Sequence, residues 1–199
     1  MTGKPGLSRD AAYFAALYAA DPDPWNFSAS AYERQKYEAT IAALGGRHFS
    51  SAFEVGCSIG ILTRMLAPRC AALLAADIVK TALDSARANC ADMPQVRFAN
   101  LGVPGHWPAG ETFDLILLSE MLYFLNPTDI VTLAGQAAAS LLPGGIILLV
   151  NYTGRIDEPS SGDDAAEIFI AATRSTLGVT LQQREERFRI DRLEMRDRK

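Results

Sequence analysis

Cysteine and histidine are scarce in the 199-residue chain, at three and two. Cys57, Cys70 and Cys90 form no CxxC pair, and His48 and His106 stand far from each other in sequence. No zinc or iron spacing results, so no metal is expected. A scattered, odd cysteine count reads as reduced thiols, which points to a cytoplasmic location. Long apolar runs are missing too. Ile146-Ile147-Leu148-Leu149-Val150 falls far short of the ~20 residues that cross a bilayer, and Met1-Thr2-Gly3-Lys4-Pro5-Gly6 lacks the apolar stretch of a signal peptide. No membrane association is expected. Nor is there an excess of positive charge: 19 Lys and Arg stand against 23 Asp and Glu, a net charge of −4. A phosphate backbone would find no basic field, which argues against nucleic acid as a partner. Internal repeats and low-complexity tracts are also lacking.

What is present is ordinary globular chemistry, 49% apolar and 21% charged, in a length that suits one α/β domain with a real core. Ser8 is placed to cap a short helix to about Ala20, and Asp21-Pro22-Asp23-Pro24 then breaks it and leaves Trp25 and Phe27 in a loop. Ser30-x-x-Glu33 matches a capping box, Tyr37, Ile41 and Leu44 follow at helical spacing, and Gly45-Gly46 stops the second helix. From about Ser51 the punctuation changes to strand, glycine turn, helix, strand, the pattern of βαβ units. Strands are expected at Ala52–Val55, Ala72–Ala76, Val96–Ala99, Leu115–Leu118 and Ile146–Asn151. Helices are expected at Gly60–Ala67, Lys80–Cys90 and Pro127–Leu141, the last capped by Asn126. Tyr152–Asp164 reads as a long loop, and a helix from Asp164 to Ser175 follows. The tail alternates around Val179, Leu181, Phe188, Ile190 and Leu193, as in two half-exposed antiparallel strands joined at the Arg184–Arg187 charge cluster.

The most informative stretch is Phe53-Glu54-Val55-Gly56-Cys57-Ser58-Ile59-Gly60, a strand that ends in a glycine turn and opens a helix. Such a turn lets backbone approach a ligand in the crevice beyond the strand ends, where open α/β sheets bind. Asp77 closes the next strand and is placed to take both hydroxyls of a ribose. The alternative is a merely tight turn, with Asp77 capping the next helix. A nicotinamide cofactor calls for Gly-x-Gly-x-x-Gly and pyrophosphate on the helix N-terminus. That spacing is absent, so a ligand without pyrophosphate fits better.

Glu54-x-Gly56-Cys57-x-x-Gly60, Asp77, Phe113-Asp114-Leu115-Ile116 and Leu142-Pro143-Gly144-Gly145, in that order, resemble the class I S-adenosylmethionine methyltransferases. Asp23-Pro24-Trp25, Ser30-x-Tyr32-Glu33-Arg34-x-Lys36-Tyr37 and Ser119-Glu120-Met121-Leu122-Tyr123-Phe124-Leu125 are similar to the nodulation protein S group. Those enzymes N-methylate the glucosamine end of a chitooligosaccharide signal in rhizobia. The resemblance implies a doubly wound, mostly parallel seven-stranded sheet with N-terminal helices and an antiparallel C-terminal hairpin. It divides a single domain, 1–199, into a helical cap (1–46), a cofactor-binding core (51–151) and a substrate loop with a helix and terminal strands (152–199). It also implies S-adenosylmethionine as cofactor and S-adenosylhomocysteine as product. Gly56, Cys57, Ser58 and Gly60 would wrap the methionine part, Asp77 would hold the ribose and Ile78 would pack on adenine. Ser119, Gly102 and Val103 would complete that site. Where the superfamily often has an acidic residue to read adenine, this chain has Leu101-Gly102-Val103, so the base must be read by other groups.

Trp25 suits either a cover over the ligand or a plug over the core. Arg34 could pair with the cofactor carboxylate. Glu33 is explained by the capping box, and Tyr32 and Lys36 read as a solvated face. Glu120, just past the fourth strand, is the carboxylate placed to take a proton from the acceptor, unless it serves only the first turn of the following segment. Tyr123, Tyr152, Asp157 and Glu158 could line an acceptor groove, while His106 and Trp107 read as packing residues. The expected reaction is methylation of a small polar acceptor, most naturally an amine such as the deacetylated end of a chitooligosaccharide. Methylation of another small metabolite, a non-catalytic cofactor-binding subunit and a nicotinamide enzyme are the rivals. Monomer and homodimer are both open.

Overall fold

The computed structural model describes residues 6–196; the expected lack of a signal peptide at Met1–Gly6 falls, but for Gly6, outside them. Seven strands form one sheet in the order β3-β2-β1-β4-β5-β7-β6. They are β1 (Ala52–Val55), β2 (Leu73–Asp77), β3 (Val96–Asn100), β4 (Phe113–Ser119), β5 (Leu141–Tyr152), β6 (Leu177–Arg184) and β7 (Phe188–Met195). The first five are parallel, and β7 runs antiparallel between β5 and β6. The helices are α1 (Ala11–Ala20), α2 (Ala31–Ala43), α3 (Ile61–Leu66), α4 (Lys80–Asn89), α5 (Pro127–Ser140) and α6 (Gly162–Thr173). No helix among the described residues is long and apolar enough to cross a membrane.

Alternation along the central strands builds two cores, one on each face of the sheet. Phe53, Val55, Ile116, Leu118, Ile147 and Leu149 share a core with Ile130, Leu133 and Ala137 of α5 and Phe169 of α6. Ala52, Leu115, Leu117, Ile146, Leu148 and Val150 share the other with Tyr37 of α2 and Leu62 and Leu66 of α3. Each large apolar side chain buried this way contributes about 1.5–3 kcal/mol. That is why the parallel strands are continuous apolar runs.

Several sequence expectations shift. Asp10, not Ser8, caps α1 by accepting from the Tyr13 amide; Ser8 instead donates to Asp129 and accepts from the Asn126 amide. The fifth strand begins at Leu141, so Leu142-Pro143-Gly144-Gly145 belongs to it, and α5 ends at Ser140. The sixth helix ends at Thr173. The two terminal strands differ in exposure because β7 is an inner strand. Arg189 and Asp191, on a strand expected to be half-exposed, are buried there as an ion pair at 2.8 Å, with Glu167 2.8 Å from the same guanidinium. The Arg184–Arg187 cluster does form the turn, closed by the Glu185 amide on the Phe188 carbonyl.

Gly60 is fixed by packing. It caps α3 with φ +82°, and a Cβ there would lie 3.0 Å from Cα and Cβ of Ala86 on α4. Gly60→Ala should therefore cost about 2–5 kcal/mol, combining a left-handed penalty of roughly 1–2 with overpacking of roughly 1–3. Gly110→Ala, at φ +78° with no neighbour within 4 Å, should cost only the roughly 1–2 kcal/mol backbone penalty. Urea unfolding of the two variants checks the difference; equal losses would remove the packing argument.

Candidate functional site

The carboxyl ends of β1 to β4 open onto a single cleft. Each strand delivers one piece of its wall: Gly56-Cys57-Ser58 from β1, Asp77-Ile78 from β2, Leu101-Gly102-Val103 from β3 and Ser119-Glu120-Met121 from β4. Gly60 does not line it; its place in the motif answers to the α3–α4 contact instead. The turn is tight because the Gly56 and Cys57 amides both donate to the Ala76 carbonyl, at 2.8 and 2.9 Å. It carries Gly56 and Ser58 through positive φ, +76° and +50°. A serine in that region is strained, and such strain gathers at functional sites.

Asp77 is held by that turn. One carboxylate oxygen accepts from the Ser58 amide at 2.9 Å and the other from the Val79 amide at 2.8 Å. Burial raises its carboxyl above the ordinary aspartate range, and the backbone donors oppose the rise. Asp77 thus ties down the start of α4 and also lines the cleft, with lone pairs left on each oxygen. Ile78 lies against the bare backbone of Gly102, where a Cβ would come within 2.9 Å of its Cδ1. That wall is apolar, and no acidic side chain interrupts it. The Cys57 thiol is buried, which pushes its pKa up and leaves it unreactive.

Aromatic rings close the opposite side. Trp25 stacks on Phe27 at 5.5 Å and meets Tyr18 and Phe124 edge-on at 5.7 and 6.4 Å. It is both wall and packing residue. The Tyr18 hydroxyl is hydrogen-bonded to Ser58 Oγ, fastening α1 to the glycine turn.

At the β4 end, Glu120 also takes positive φ, +57°, while its amide donates to the Val150 carbonyl at 2.8 Å. It is not the cap of the 3₁₀ turn Leu122–Phe124, a place taken by Met121. Its Oε2 accepts from the Tyr123 hydroxyl at 2.9 Å and lies 3.3 Å from Lys36 Nζ. Its Oε1 is buried with no hydrogen-bond partner among the described residues. Burial raises the Glu120 carboxyl; the Lys36 charge and the Tyr123 hydrogen bond pull it down, and Glu33 pushes it up.

Lys36 is the largest departure from the sequence reading. It is 1% exposed rather than solvated, and Nζ donates to Glu33 Oε1 at 3.0 Å. The Ser30 hydroxyl does accept from the Glu33 amide, but the Glu33 side chain turns to Lys36 instead of completing the capping box. Tyr32 is half-buried between Lys36 and Arg187, whose cations lie 5.1 and 4.4 Å from its ring centre. Arg34, by contrast, is exposed and does not reach the cleft; the guanidinium lining it is that of Arg9, paired to Glu158 at 2.7 Å. Glu158 is thereby engaged, and neither it, Asp157 nor Tyr152 lines the cleft. Trp107 packs on Phe53 at 5.1 Å and donates to Ser140, whereas His106 is exposed.

Glu54, named in the motif but given no role from sequence, also borders the cleft. Its Oε2 is buried without a hydrogen-bond partner among the described residues, and burial, with Asp77 nearby, pushes its carboxyl up to about 7. The cleft thus presents four carboxylates, Glu33, Glu54, Asp77 and Glu120, against one guanidinium that already has a partner. A ligand with a cationic group and vicinal hydroxyls suits it, so the residues fit an amino-acid nucleoside with a free ammonium. A carboxyl raised by folding binds its proton more tightly in the native state. Its stabilisation is full below the unfolded value of 4.5 and is lost as pH rises through about 7. Ligand-free protein should therefore lose stability on the order of 2–3 kcal/mol between pH 5 and 8 through this group, and Glu54→Gln should flatten that slope. Urea unfolding across the range checks it, and an unchanged slope in the variant would contradict the assignment.

The sequence pattern described as Nodulation protein S (NodS) matches residues 16–148. Nodulation protein S of Rhizobium tropici is 33% identical over 129 residues, 64% of this chain and 53% of that protein. The chain spans about half the length of the curated relatives it matches. A solved protein structure from Pseudomonas syringae is 34% identical, covers 83% of this chain and 99% of its own, and superposes with a TM-score of 0.69. The N-methyltransferase NodS from Bradyrhizobium japonicum WM9, in complex with S-adenosyl-L-homocysteine, superposes with a TM-score of 0.80 over 94% of this chain and 99% of its own, at 22% identity. At that identity the likeness is one of fold. With one family pattern running from within α1 to within β5, across the turn, Asp77 and Glu120, the chain belongs to the nodulation protein S family.

Proposed function

We propose that this chain transfers the methyl group of S-adenosylmethionine to an amine of a small polar acceptor. The observation that carries the reading is the division of carboxylates in one cleft. Asp77 and Glu54 sit at the glycine turn, and Glu120, with an unpartnered oxygen, sits at the end of β4. Asp77 would hold the ribose hydroxyls, Glu54 the ammonium of the methionine part, and Ile78, Gly102 and Val103 the adenine face. When bound, that cofactor supplies an activated methyl carbon. The protein's remaining tasks are to align the acceptor, exclude water and remove a proton; alignment alone can supply roughly 7–11 kcal/mol. An alkylammonium near pKa ~10.4 is not a nucleophile, and deprotonating it at pH 7 costs about 4.6 kcal/mol. Glu120 Oε1 is the acceptor for that proton, with Tyr123 steadying the other oxygen. A negatively lined cleft favours an amine over a hydroxyl or an acid, because a cationic acceptor is drawn into it.

Within this reading, membership of the family that includes the N-methyltransferase NodS of Bradyrhizobium japonicum WM9 supports N-methylation, and the deacetylated glucosamine end of a chitooligosaccharide is one amine of the required kind. The cytoplasm is the compartment that suits three free cysteines.

Mass-spectrometric detection of a one-methyl gain, over a panel of glucosamine oligomers, small amines and catechols with the cofactor, tests the reaction. Gain on an amine supports it; gain on hydroxyls alone, or on nothing while the cofactor binds, contradicts it. Glu120→Gln should lower kcat by about 10²–10⁴ and leave S-adenosylhomocysteine affinity unchanged. Asp77→Ala should do the reverse, weakening that affinity by roughly 10–100-fold, as loss of hydrogen bonds to a charged group implies. Calorimetry and steady-state rates separate the two, and similar defects in both variants would contradict the division of roles.

A further inference from the structure

The β4 end of the cleft holds a group of charges that methyl transfer to an amine does not by itself account for. Lys36 reaches from α2 to stand between two carboxylates, 2.9 Å from Glu33 Oε2 and 3.3 Å from Glu120 Oε2. Its side chain is 1% exposed, and that of Glu120 14%. A buried ion pair is costly to assemble and gains little net stability, so its retention calls for a second reason. The pairing is also lopsided. Glu120 Oε2 takes both the Lys36 contact and the Tyr123 hydrogen bond, whereas Oε1 takes neither. Two carboxylates and one ammonium leave one negative charge uncompensated in a poorly hydrated place.

We infer that Lys36 is a positioning residue that keeps Glu120 ionised and turned by its Oε2, so that Oε1 stays free to receive the ammonium of a monocationic acceptor. The acceptor's single positive charge then balances the group formed by Glu33, Lys36 and Glu120. In the step this prepares, an N–H bond of the acceptor breaks, the electron pair stays on nitrogen, and the proton forms an O–H bond with Oε1. Lys36 neither gains nor loses a proton. Glu33 has a separate part: it shares the Lys36 ammonium, and so tempers how far that charge lowers the carboxyl opposite. The groups facing Glu120 are Lys36, Glu33, Tyr32 and Tyr37 from α2 and Tyr123 from the 3₁₀ turn. The only cation among these five is Lys36. The acceptor's part in this inference rests on the methyl-transfer reading, but the arrangement of charges can be measured with neither cofactor nor acceptor present.

The test is a carboxyl ¹³C NMR titration of the ligand-free protein carrying ¹³Cδ-labelled glutamate, with the Glu120 signal assigned as the one lost in Glu120→Gln. In a folded Lys36→Met protein, the Glu120 midpoint should rise by about 1 pH unit or more, as expected for loss of a cation within 4–6 Å. In Glu33→Gln it should fall, since a neighbouring negative charge is gone and Lys36 is left to Glu120 alone. An unmoved midpoint in folded Lys36→Met would overturn the inference. Should that variant fail to fold, Glu33→Gln decides, a fall supporting the inference and an unmoved or raised midpoint overturning it. A barren methylation screen with both midpoints moving as stated would sink the proposed reaction and leave the role of Lys36 standing.

Discussion

Parallel pairing is the constraint from which the site follows. Five neighbouring strands that run the same way must all end on the same edge of the sheet, and the chain order reverses between β1 and β4. The connections after β1 and β4 therefore leave to opposite sides and part to form a crevice, into which the ends of β2 and β3 also feed. Gly56-Cys57-Ser58, Asp77, Gly102 and Glu120 lie tens of residues apart in sequence and line one cleft because of that geometry alone. The antiparallel β7 and β6 take no part in the crevice; they extend the sheet and bury its far side, with the Arg189–Asp191 pair sealed beneath α6.

Crowding four carboxylates around one cleft opposes folding, and the chain meets that cost in three different ways. Asp77 is stabilised by two backbone amides that the glycine turn and the start of α4 leave pointing at it. Glu54 has no such donors, and its raised carboxyl means that it shares its proton with solvent near neutrality. Glu33 and Glu120 divide one buried ammonium. Burial raises the carboxyls of Asp77, Glu54 and Glu120 alike, but different partners oppose the rise in each, which is how similar side chains come to hold different duties in one pocket. Ser58 and Glu120, both at positive φ, line the same cleft, where backbone strain is held by the sheet behind it.

Most of the strand framework was legible in sequence because buried parallel strands must be unbroken apolar runs, and β1 was bounded to the residue. Strand-end residues such as Asp77 and Glu120 were legible for a related reason: a polar residue directly after such a run has nowhere to sit but the crevice. What could not be read is the contribution of α1 and α2. A hydropathy stripe in α2 picks out Tyr37 and Ile41 and passes over Glu33, Lys36 and Thr40, although all three polar residues are buried. Their spacing, 33, 36, 37, 40, was the available signal, because it puts a Glu and a Lys on the same face as the buried Tyr. Arg34 flanks that stripe, which is what suggests it for a cofactor carboxylate, but one position around the helix sends it into solvent. Arg9 was invisible because only the folding of α1 over the cleft brings it to Glu158, 149 positions away. At Gly60 the structure shows Ala86 of α4 closing the space a Cβ would take; a glycine demanded by a ligand and one demanded by a neighbouring helix look alike in a motif.

The most direct test is a crystal structure of the protein soaked with S-adenosylhomocysteine. The ribose hydroxyls are expected on Asp77, the amino group beside Glu54, and the sulfur directed toward the free Oε1 of Glu120. A nucleoside bound elsewhere, or an Asp77 that keeps only its two backbone contacts while the ligand occupies the cleft, would contradict this placement.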